Sequence, residues 1–249
     1  MTHTHTPQSL HRAHPAAQPS LIELRDFCYA YDEVIALRHV DLDIDAGDSV
    51  VLMGDNGSGK STLLKALVGL IFPQQGTYRF DGKEVNEQTM RDSAFAKRLH
   101  QRIGFIFQDS DAQLFCPTVE DEIAFGPRQM QLPEQEVQRR VDDTCALLDI
   151  EKLRARAPYN LSGGEKKRVA IACVLSMNPD VLCLDEPLAG LDAKTRSWLL
   201  MFLRQLKGAG KTLVIATHDQ SLADELADFF VYVGDFHGYE DRPHVHINA

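Results

Sequence analysis

The chain alternates between short apolar runs and stretches in which apolar residues recur every three or four positions. The apolar runs predict buried strands, which cover residues 50–53, 103–107, 181–184 and 212–216. An imperfect alternation of apolar and polar residues over 21–44 predicts two or three antiparallel strands, and residues 76–82 are typical of a hairpin. This pattern indicates an α/β fold with a mostly parallel core sheet.

Helical spacing predicts helices between these strands. They cover residues 59–70, 118–125, 132–150, 162–174 and 193–207. Thr118 is expected to cap the second helix, and Pro133 is expected in the first turn of the third. No usable periodicity follows Val233, so no element is predicted beyond it.

Residues 54–61, G-D-N-G-S-G-K-S, form a complete phosphate-binding motif between a predicted strand and a predicted helix. Its glycines let backbone N–H groups surround an anion, and the following helix adds the positive end of its dipole. Lys60 is expected to contact the β- and γ-phosphates, and the Ser61 hydroxyl to ligate Mg²⁺. A chance glycine-rich turn is the alternative, which the flanking elements disfavour. The candidate nucleotide-binding residues are Gly54, Asp55, Asn56, Gly57, Ser58, Gly59, Lys60, Ser61 and Thr62.

Three more polar groups follow predicted strands of the same sheet. Asp185 and Glu186 end one apolar run, and His218 follows another. The carboxyl ends of parallel strands meet at one edge, so we expect Asp185 to face Mg²⁺ and Glu186 to face a water molecule beside the phosphate loop. Residues 161–165, L-S-G-G-E, form a second anion-suited helix start, although Ser-Gly-Gly alone indicates only a good N-cap.

Composition and charge narrow the class of protein. A chain of 249 residues can bury a core without disulfides or metals. Its five cysteines lack the paired spacing of a disulfide framework, and Cys173 and Cys183 lie inside apolar runs, so these two are expected as buried thiols. No apolar stretch approaches the ~18 residues that span a bilayer. The formal charge of −10 disfavours non-specific nucleic-acid binding.

Histidine is concentrated at both ends of the chain. The terminal histidines are His3, His5, His11, His14, His237, His244 and His246. Solvated polar tails are the favoured interpretation because nothing fixes a ligand geometry, and binding of Ni²⁺, Co²⁺ or Zn²⁺ is the alternative.

Five segments of the chain resemble, in order and spacing, those of an ATP-binding-cassette (ABC) ATPase. They are residues 54–61, Gln108, 161–165, 184–186 and His218. An L-S-G-G-E segment between a phosphate loop and L-D-E-P is specific to this family. The resemblance implies a phosphate-loop NTPase fold with an antiparallel β subdomain and a helical signature subdomain. The expected ranges are a flexible extension at 1–20, the ATPase domain at 21–233 with its helical part at about 108–178, and a tail at 234–249.

The resemblance also implies ATP and Mg²⁺ as cofactors and a role for each site residue. Tyr31 would stack on the base, although the sequence alone equally allows a half-buried strand tyrosine. Asp192 would lie in the loop that signals across a dimer. The catalytic residues would be Glu186, His218 and Gln108, and the Mg²⁺ ligands would be Ser61, Gln108 and Asp185. A second ABC ATPase subunit, identical or paralogous, would have its ATP contacted by Ser162, Gly163 and Gly164. Glu165 departs from the family's usual glutamine, and its carboxylate must point away from the phosphate.

A sharper resemblance covers residues 105–128, which look like the ATPases of energy-coupling-factor (ECF) importers. It implies a peripheral protein on the cytoplasmic face of the cell membrane, with an integral membrane coupling subunit and a substrate-binding membrane subunit as partners. Leu114, Phe115 and Phe125 would line the groove for the coupling subunit, although at least one of them is expected in the chain's own core.

The sequence of residues 161–172 resembles that of the cobalt and nickel branch of these importers, so the expected function is ATP-driven uptake of one of these ions. A vitamin ECF importer or another ABC transporter is the alternative. A soluble ABC protein acting on nucleic acid or the ribosome is disfavoured by the single cassette, the absence of a heptad run and the acidic charge. An ATP-holding module without turnover is disfavoured because Glu186 and His218 are both present.

Overall fold

The computed structural model describes residues 20–233 and the backbone of 246–248. The strands are β1 (Ile22–Tyr31), β2 (Val34–Ile44), β3 (Ser49–Met53), β4 (Gln75–Phe80), β5 (Lys83–Glu84), β6 (Ile103–Ile106), β7 (Val181–Asp185), β8 (Thr212–Ala216), β9 (Phe229–Tyr232) and β10 (His246–Asn248). The helices are α1 (Lys60–Leu67), α2 (Glu87–Met90), α3 (Ser93–Arg102), α4 (Val119–Gln129), α5 (Glu134–Leu148), α6 (Gly163–Leu175), α7 (Ala193–Gly208) and α8 (Gln220–Leu226).

The strands form two sheets. The larger sheet has the order β10-β9-β3-β8-β7-β6; it is parallel except for β10, which pairs antiparallel with β9. The smaller sheet has the order β2-β1-β4-β5 and is antiparallel. The predicted parallel core sheet, the antiparallel strands before the phosphate loop and the hairpin are therefore confirmed.

The core lies on both faces of the parallel sheet, because successive side chains of a strand point to opposite faces. On β3, Val51 and Met53 join the apolar cluster that also contains residues of α4 to α8. Val50 and Leu52 join the cluster formed with α1 and the antiparallel sheet. Among the described residues, no helix is long and apolar enough to span a bilayer.

Several predicted helix boundaries were wrong: the helix predicted over 59–70 ends at Leu67, and the helix predicted to reach residue 150 ends at Leu148. The helix that Thr118 caps continues to Gln129, one turn beyond Phe125. The helix predicted over 132–150 begins only at Glu134, because Pro133 stands before it at ψ 141, outside helical geometry. The expected buried thiols are confirmed for Cys183, whereas Cys173 is only half-buried. None of the five cysteines forms a disulfide.

Several elements were not predicted. Helix α3 is largely polar and buries only Leu99, and α8 is only seven residues long, so neither has a strong apolar period. Strand β10 lies in the tail for which no element was expected, and it is formed by pairing with β9. The predicted extension at 1–20 lies outside the described residues except for Ser20, and so do the histidine side chains of both ends.

Candidate nucleotide site

The polar ends of three parallel strands meet at one edge of the large sheet. Strand β8 lies between β3 and β7, with Ala216 in register with Leu52 on one side and with Asp185 on the other. The phosphate loop follows β3, two carboxylates end β7, and His218 follows β8. The expected meeting of these groups is confirmed, and the order of strands places His218 between the other two.

The phosphate loop needs glycine at two of its positions. Gly54 has φ 146 and Gly59 has φ 103, a region that L side chains rarely adopt. A Cβ at Gly54 would lie 2.3 Å from the Val233 carbonyl oxygen, and one at Gly59 would lie 2.5 Å from that of Ala36. The loop is therefore held tightly by neighbouring backbone. Its crest at Asp55, Asn56 and Gly57 is exposed.

The first turn of α1 carries the charge suited to an anion. The helix begins at Gly59 without a side-chain cap. Lys60 is buried and its ammonium group donates to the carbonyl oxygens of Gly54 at 2.6 Å and Asp55 at 2.8 Å. Thr62 is buried behind it, and Ser61 is exposed. An uncapped helix start with a lysine folded over the loop can bind a phosphate group.

Two buried oxygens at this edge have no partner among the described residues: Asp185 Oδ1 and Ser58 Oγ. Burial raises the pKa of Asp185, and a hydrogen bond from Ser61 opposes the shift. An unpaired buried carboxylate oxygen costs about 1–3 kcal/mol or more, so a cation that satisfied it would bind favourably. A carboxylate and a hydroxyl are ligands that suit Mg²⁺, so Asp185 and Ser61 fit this ion.

Glu186 occupies a strained and strongly oriented position. Its φ of 41 lies in the left-handed region, and its N–H donates to the Ala216 carbonyl oxygen at 2.8 Å. One carboxylate oxygen accepts from Thr217 Oγ1 at 3.1 Å, and the other lies 2.9 Å from His218 Nδ1. The Glu186 side chain is 12% exposed, whereas His218 is 65% exposed. The carboxylate is thus fixed by the neighbouring strand, and the imidazole is open to a ligand.

Gln108 lies just beyond β6, and its backbone is held by a lysine that the sequence analysis did not single out. The Gln108 side chain is exposed. Lys167 of α6 is 2% exposed and donates to the carbonyl oxygens of Phe107 at 3.1 Å and Gln108 at 3.2 Å. Burial lowers the pKa of Lys167 to about 8. Lys166 also pairs with Asp111 at 2.5 Å, so α6 holds the segment after β6 at two points.

The second glycine-rich helix start is exposed and capped within its own chain. Ser162 accepts from the Glu165 N–H at 3.4 Å, and a Glu165 carboxylate oxygen accepts from the N–H and hydroxyl of Ser162, each at 2.8 Å. These bonds show that the Glu165 carboxylate turns back into the cap, and they lower its pKa. Gly163 is exposed, and a Cβ at Gly164 would lie 2.7 Å from Thr195 Oγ1. None of the hydrogen bonds or ion pairs of the described residues joins 161–165 to the phosphate loop.

Two other residues singled out in the sequence lie at element ends. Tyr31 ends β1, is 42% exposed, and meets Tyr29 edge-on with ring centroids 5.0 Å apart. Asp192 caps α7 by accepting from the N–H groups of Lys194 and Thr195 at 2.9 and 3.0 Å. Tyr31 is open for stacking, whereas the Asp192 side chain is engaged in its own helix cap.

The predicted groove residues separate into two kinds. Phe115 and Phe125 are 68% and 42% exposed, and their rings meet edge-on at 5.0 Å. We call this pair the aromatic patch. Leu114 is half-buried and packs against the core, as expected of at least one of the three, and its role as a groove residue stays a prediction. Buried Glu122 was not predicted; it accepts from the N–H groups of Phe115 and Cys116 and so orients the patch.

Comparisons with known proteins agree with this geometry. The sequence profile of a family described as ABC transporter matches residues 37–189. The chain is 43% identical over 217 residues to the nickel import ATP-binding protein LarO of Lactiplantibacillus plantarum, covering 87% of this chain and 90% of that protein. It is 41% identical over 209 residues to the energy-coupling factor transporter ATP-binding protein EcfA of Methanothermobacter thermautotrophicus, covering 84% and 66%.

Solved structures show the same fold. CbiO1 of Clostridium perfringens, described as part of the ABC transporter complex CbiONQ, is 36% identical with a TM-score of 0.76, over 86% of this chain and 85% of that one. A dimeric ATP-binding cassette in a post-hydrolysis state bound to ADP and Pi is 30% identical with a TM-score of 0.74, over 85% and 93%.

Proposed function

We propose that this chain, which belongs to the ABC transporter family and hydrolyses ATP, energises the uptake of Ni²⁺ or Co²⁺ through a membrane partner. The observation that supports this most directly is that one chain carries two separate glycine-rich helix starts. A phosphate loop with buried, oriented carboxylates lies at the sheet edge, and a second glycine-rich helix start lies exposed on α6. An enzyme that works alone has no use for the second site, whereas a paired importer ATPase does.

Within one subunit, we assign the nucleotide to residues 54–62 and its base to Tyr31. Lys60 turns its ammonium group from the loop carbonyls to the β- and γ-phosphates. Glu186 accepts the proton of the attacking water, because its carboxylate is held by Thr217 and lies at the strand end. His218, which is largely exposed, donates to the γ-phosphate. These roles use positioning and charge, which supply most of the catalysis in phosphoryl transfer.

We assign Mg²⁺ to Ser61, Asp185 and Gln108. Mg²⁺ when bound neutralises charge that develops on the phosphate oxygens. Asp185 has a buried oxygen with no partner in the described ranges, as such a ligand requires, and Ser61 already donates to this carboxylate. Gln108 lies on a segment held by α6, so its side chain can follow movements of that helix.

The exposed tip of α6 is proposed to contact the ATP of a second ABC subunit. Ser162 and Glu165 satisfy two of the first amides of the helix, which leaves Gly163 and Gly164 as the donors for an anion. A solved relative is a dimeric cassette with ADP and Pi, which agrees with this arrangement. Closure on ATP and opening after hydrolysis then follow from gain and loss of the shared anion.

The aromatic patch is proposed as the contact for the coupling subunit in the membrane. Exposed aromatic pairs on an acidic protein are sites for a partner, and Phe is enriched in interface cores. The chain then lies as a peripheral protein on the cytoplasmic face of the membrane. We propose residues 21–233 as the ATPase domain and about 108–178 as its helical part.

Similarity to a nickel import ATPase supports a transition-metal ion as the transported species. The test is to co-express the chain with the membrane proteins that co-purify with it and to measure uptake of labelled Ni²⁺, Co²⁺ and vitamins into vesicles loaded with ATP. We expect uptake of Ni²⁺ or Co²⁺ that is lost with Glu186→Gln. Glu186-dependent uptake of a vitamin, with none of either metal, would contradict the proposed substrate and support the vitamin-importer alternative.

A further inference from the structure

Three potential metal ligands come together on the antiparallel sheet, outside the residues assigned to ATP. Asp26 and Cys28 lie on β1 and His39 lies on the paired strand β2. One ligand atom from each lies within 4.8 Å of the others. We propose that Asp26, Cys28 and His39 form a binding site for one borderline divalent cation of the Zn²⁺, Co²⁺ and Ni²⁺ class. The proposal does not depend on the proposed transport function.

The separations of the donor atoms suit one ion after a small adjustment. Ligands of a tetrahedral Zn²⁺ bond at about 2.0–2.3 Å, which places them about 3.4–3.7 Å from one another. Cys28 Sγ lies 3.8 Å from His39 Nδ1, close to this separation. Asp26 Oδ1 lies 2.5 Å from the same nitrogen and must move by about 1 Å, which rotation of its carboxylate provides. Water can complete the fourth position, since the Asp26 and His39 side chains are 51% and 45% exposed.

The neighbouring groups orient the ligands in the manner of an outer ligand shell. Gln75 Nε2 donates to Asp26 Oδ2 at 2.8 Å, which leaves Oδ1 directed at His39. The backbone N–H of His39 donates to Cys28 Sγ at 3.1 Å, a contact that stabilises a thiolate. The backbone N–H of Asp26 donates to Asp41 Oδ1 at 2.8 Å and holds the strand in place. Such partners fix ligand orientation and increase metal affinity.

Charge and donor type select the class of ion. A thiolate and a carboxylate carry two negative charges, which balance a dication. On binding, Cys28 releases its thiol proton to solvent. The proton that His39 Nδ1 donates to Asp26 also leaves this nitrogen, so that the neutral imidazole keeps a proton on Nε2 alone and Nδ1 can bind the ion. A ligand set with one sulfur, one nitrogen and one oxygen donor suits Zn²⁺, Co²⁺ or Ni²⁺, whereas Mg²⁺ and Ca²⁺ prefer oxygen ligands alone.

The test is a Co²⁺ titration of the full-length, nucleotide-free protein with reduced thiols, read by the near-ultraviolet thiolate-to-Co²⁺ charge-transfer band. The histidine-rich ends can bind Co²⁺ but supply no sulfur ligand, so they do not contribute to this band. We expect a band that saturates at one Co²⁺ per chain, disappears in Cys28→Ser and persists in the control Cys116→Ser. His39→Gln and Gln75→Ala should each weaken binding, the latter by about 10-fold or more.

Absence of the band in the wild-type protein, or its persistence in Cys28→Ser, would overturn the proposal. A second measurement uses only the wild-type chain, so that it does not depend on the folding of a variant. Co²⁺ or Zn²⁺ should slow alkylation of Cys28 by iodoacetamide, measured on its peptide by mass spectrometry, by about 10-fold at saturation. Equal rates with and without metal would also exclude the site. ATP hydrolysis should be retained in Cys28→Ser, which separates this test from that of the proposed function.

Discussion

The edge of the parallel sheet and the helical arm formed by α4, α5 and α6 differ in how completely each satisfies its own groups. At the sheet edge Lys60 is buried, Glu186 is nearly buried, and Asp185 keeps a buried oxygen that has no partner within the described part of the chain. On the arm the tip at Ser162 is exposed and already capped, and the aromatic patch is open to solvent. This difference agrees with the proposal that the edge binds a small charged ligand and that the arm meets other chains.

The two helix starts show the same difference on a smaller scale. The helix α1 has no side-chain cap, so its first amides remain available to an anion, with a lysine beside them. The helix α6 has a full capping box, and its carboxylate is a repulsive neighbour for phosphate. We therefore expect the first to bind ATP without a partner, and the second to add to binding only when another subunit brings the phosphate close.

Glu186→Gln tests the edge and should have the largest effect. We expect ATP binding to be retained and a closed dimer to accumulate, while turnover falls by about 10²–10⁴, because a positioned base is lost. Steady-state phosphate release measures turnover, and size-exclusion chromatography with ATP measures the closed dimer. Glu225→Gln on α8 is the control and should keep full activity. Near-normal hydrolysis in Glu186→Gln would remove this residue from its role.

Gly163→Asp tests the tip of the arm. A carboxylate in the first turn of α6 stabilises the helix by about 0.3–1 kcal/mol, and apart from the chain neighbours and the helix backbone no atom of the described residues lies within 4 Å of the new Cβ. It also places a negative charge against the partner's phosphate, so ATP-dependent dimerisation should weaken by about 100-fold. Analytical ultracentrifugation in the Glu186→Gln background measures this. Gln135→Glu adds the same charge at the start of α5 and should leave dimerisation unchanged; an equal loss in both variants would refute the local role of the tip.

Phe115→Ser tests the aromatic patch. Truncation of an interface anchor costs about 2 kcal/mol, so recovery of the membrane subunit should fall by about 10-fold or more while ATP hydrolysis by the isolated chain is retained. Quantitative co-purification from membranes is the measurement. Leu147→Ser replaces a similarly exposed side chain on α5 and serves as the control. Unchanged recovery with Phe115→Ser would show that the patch is not the coupling surface.

Lys167→Met tests the connection between edge and arm. Loss of two hydrogen bonds from the buried Lys167 ammonium group to backbone carbonyls should lower the free energy of unfolding by about 1–3 kcal/mol. The pKa of Lys167 is about 8 in the folded protein, below the ordinary lysine value, so the unfolded chain binds more protons between about pH 8 and 10.5. The stability advantage of the wild type over Lys167→Met should therefore increase as pH rises through this window. Urea unfolding of metal-free protein measures it, and a constant difference would contradict the assignment.

Glu165→Gln tests the charge at the tip and should have the smallest effect. Glutamine can still accept from the Ser162 N–H, so the cap is retained while the negative charge is removed. ATP-dependent dimerisation should tighten by a few-fold, in line with about 0.2–1 kcal/mol for an exposed charge. The gain should shrink at high salt, because screening already weakens the repulsion. Weaker dimerisation would indicate that the carboxylate itself supports the interface.

Local sequence determined the parts of this protein that are contiguous. The phosphate loop, the strand-end carboxylates and the Ser162 helix start could be predicted because each depends on residues within a few positions of one another. The fold class, the family and ATP hydrolysis follow from their order along the chain and are confirmed. The roles of the single site residues remain predictions.

Tertiary structure alone decided the contacts between distant segments. It placed β8 between β3 and β7, paired β10 with β9, and brought Lys167 to the carbonyl of Gln108. It also packed half-buried Leu114 against the core while leaving Phe115 exposed, and joined β1 and β2 so that Asp26 and Cys28 meet His39. No local pattern encodes these choices, because each depends on which surfaces remain to be covered after the sheet has formed.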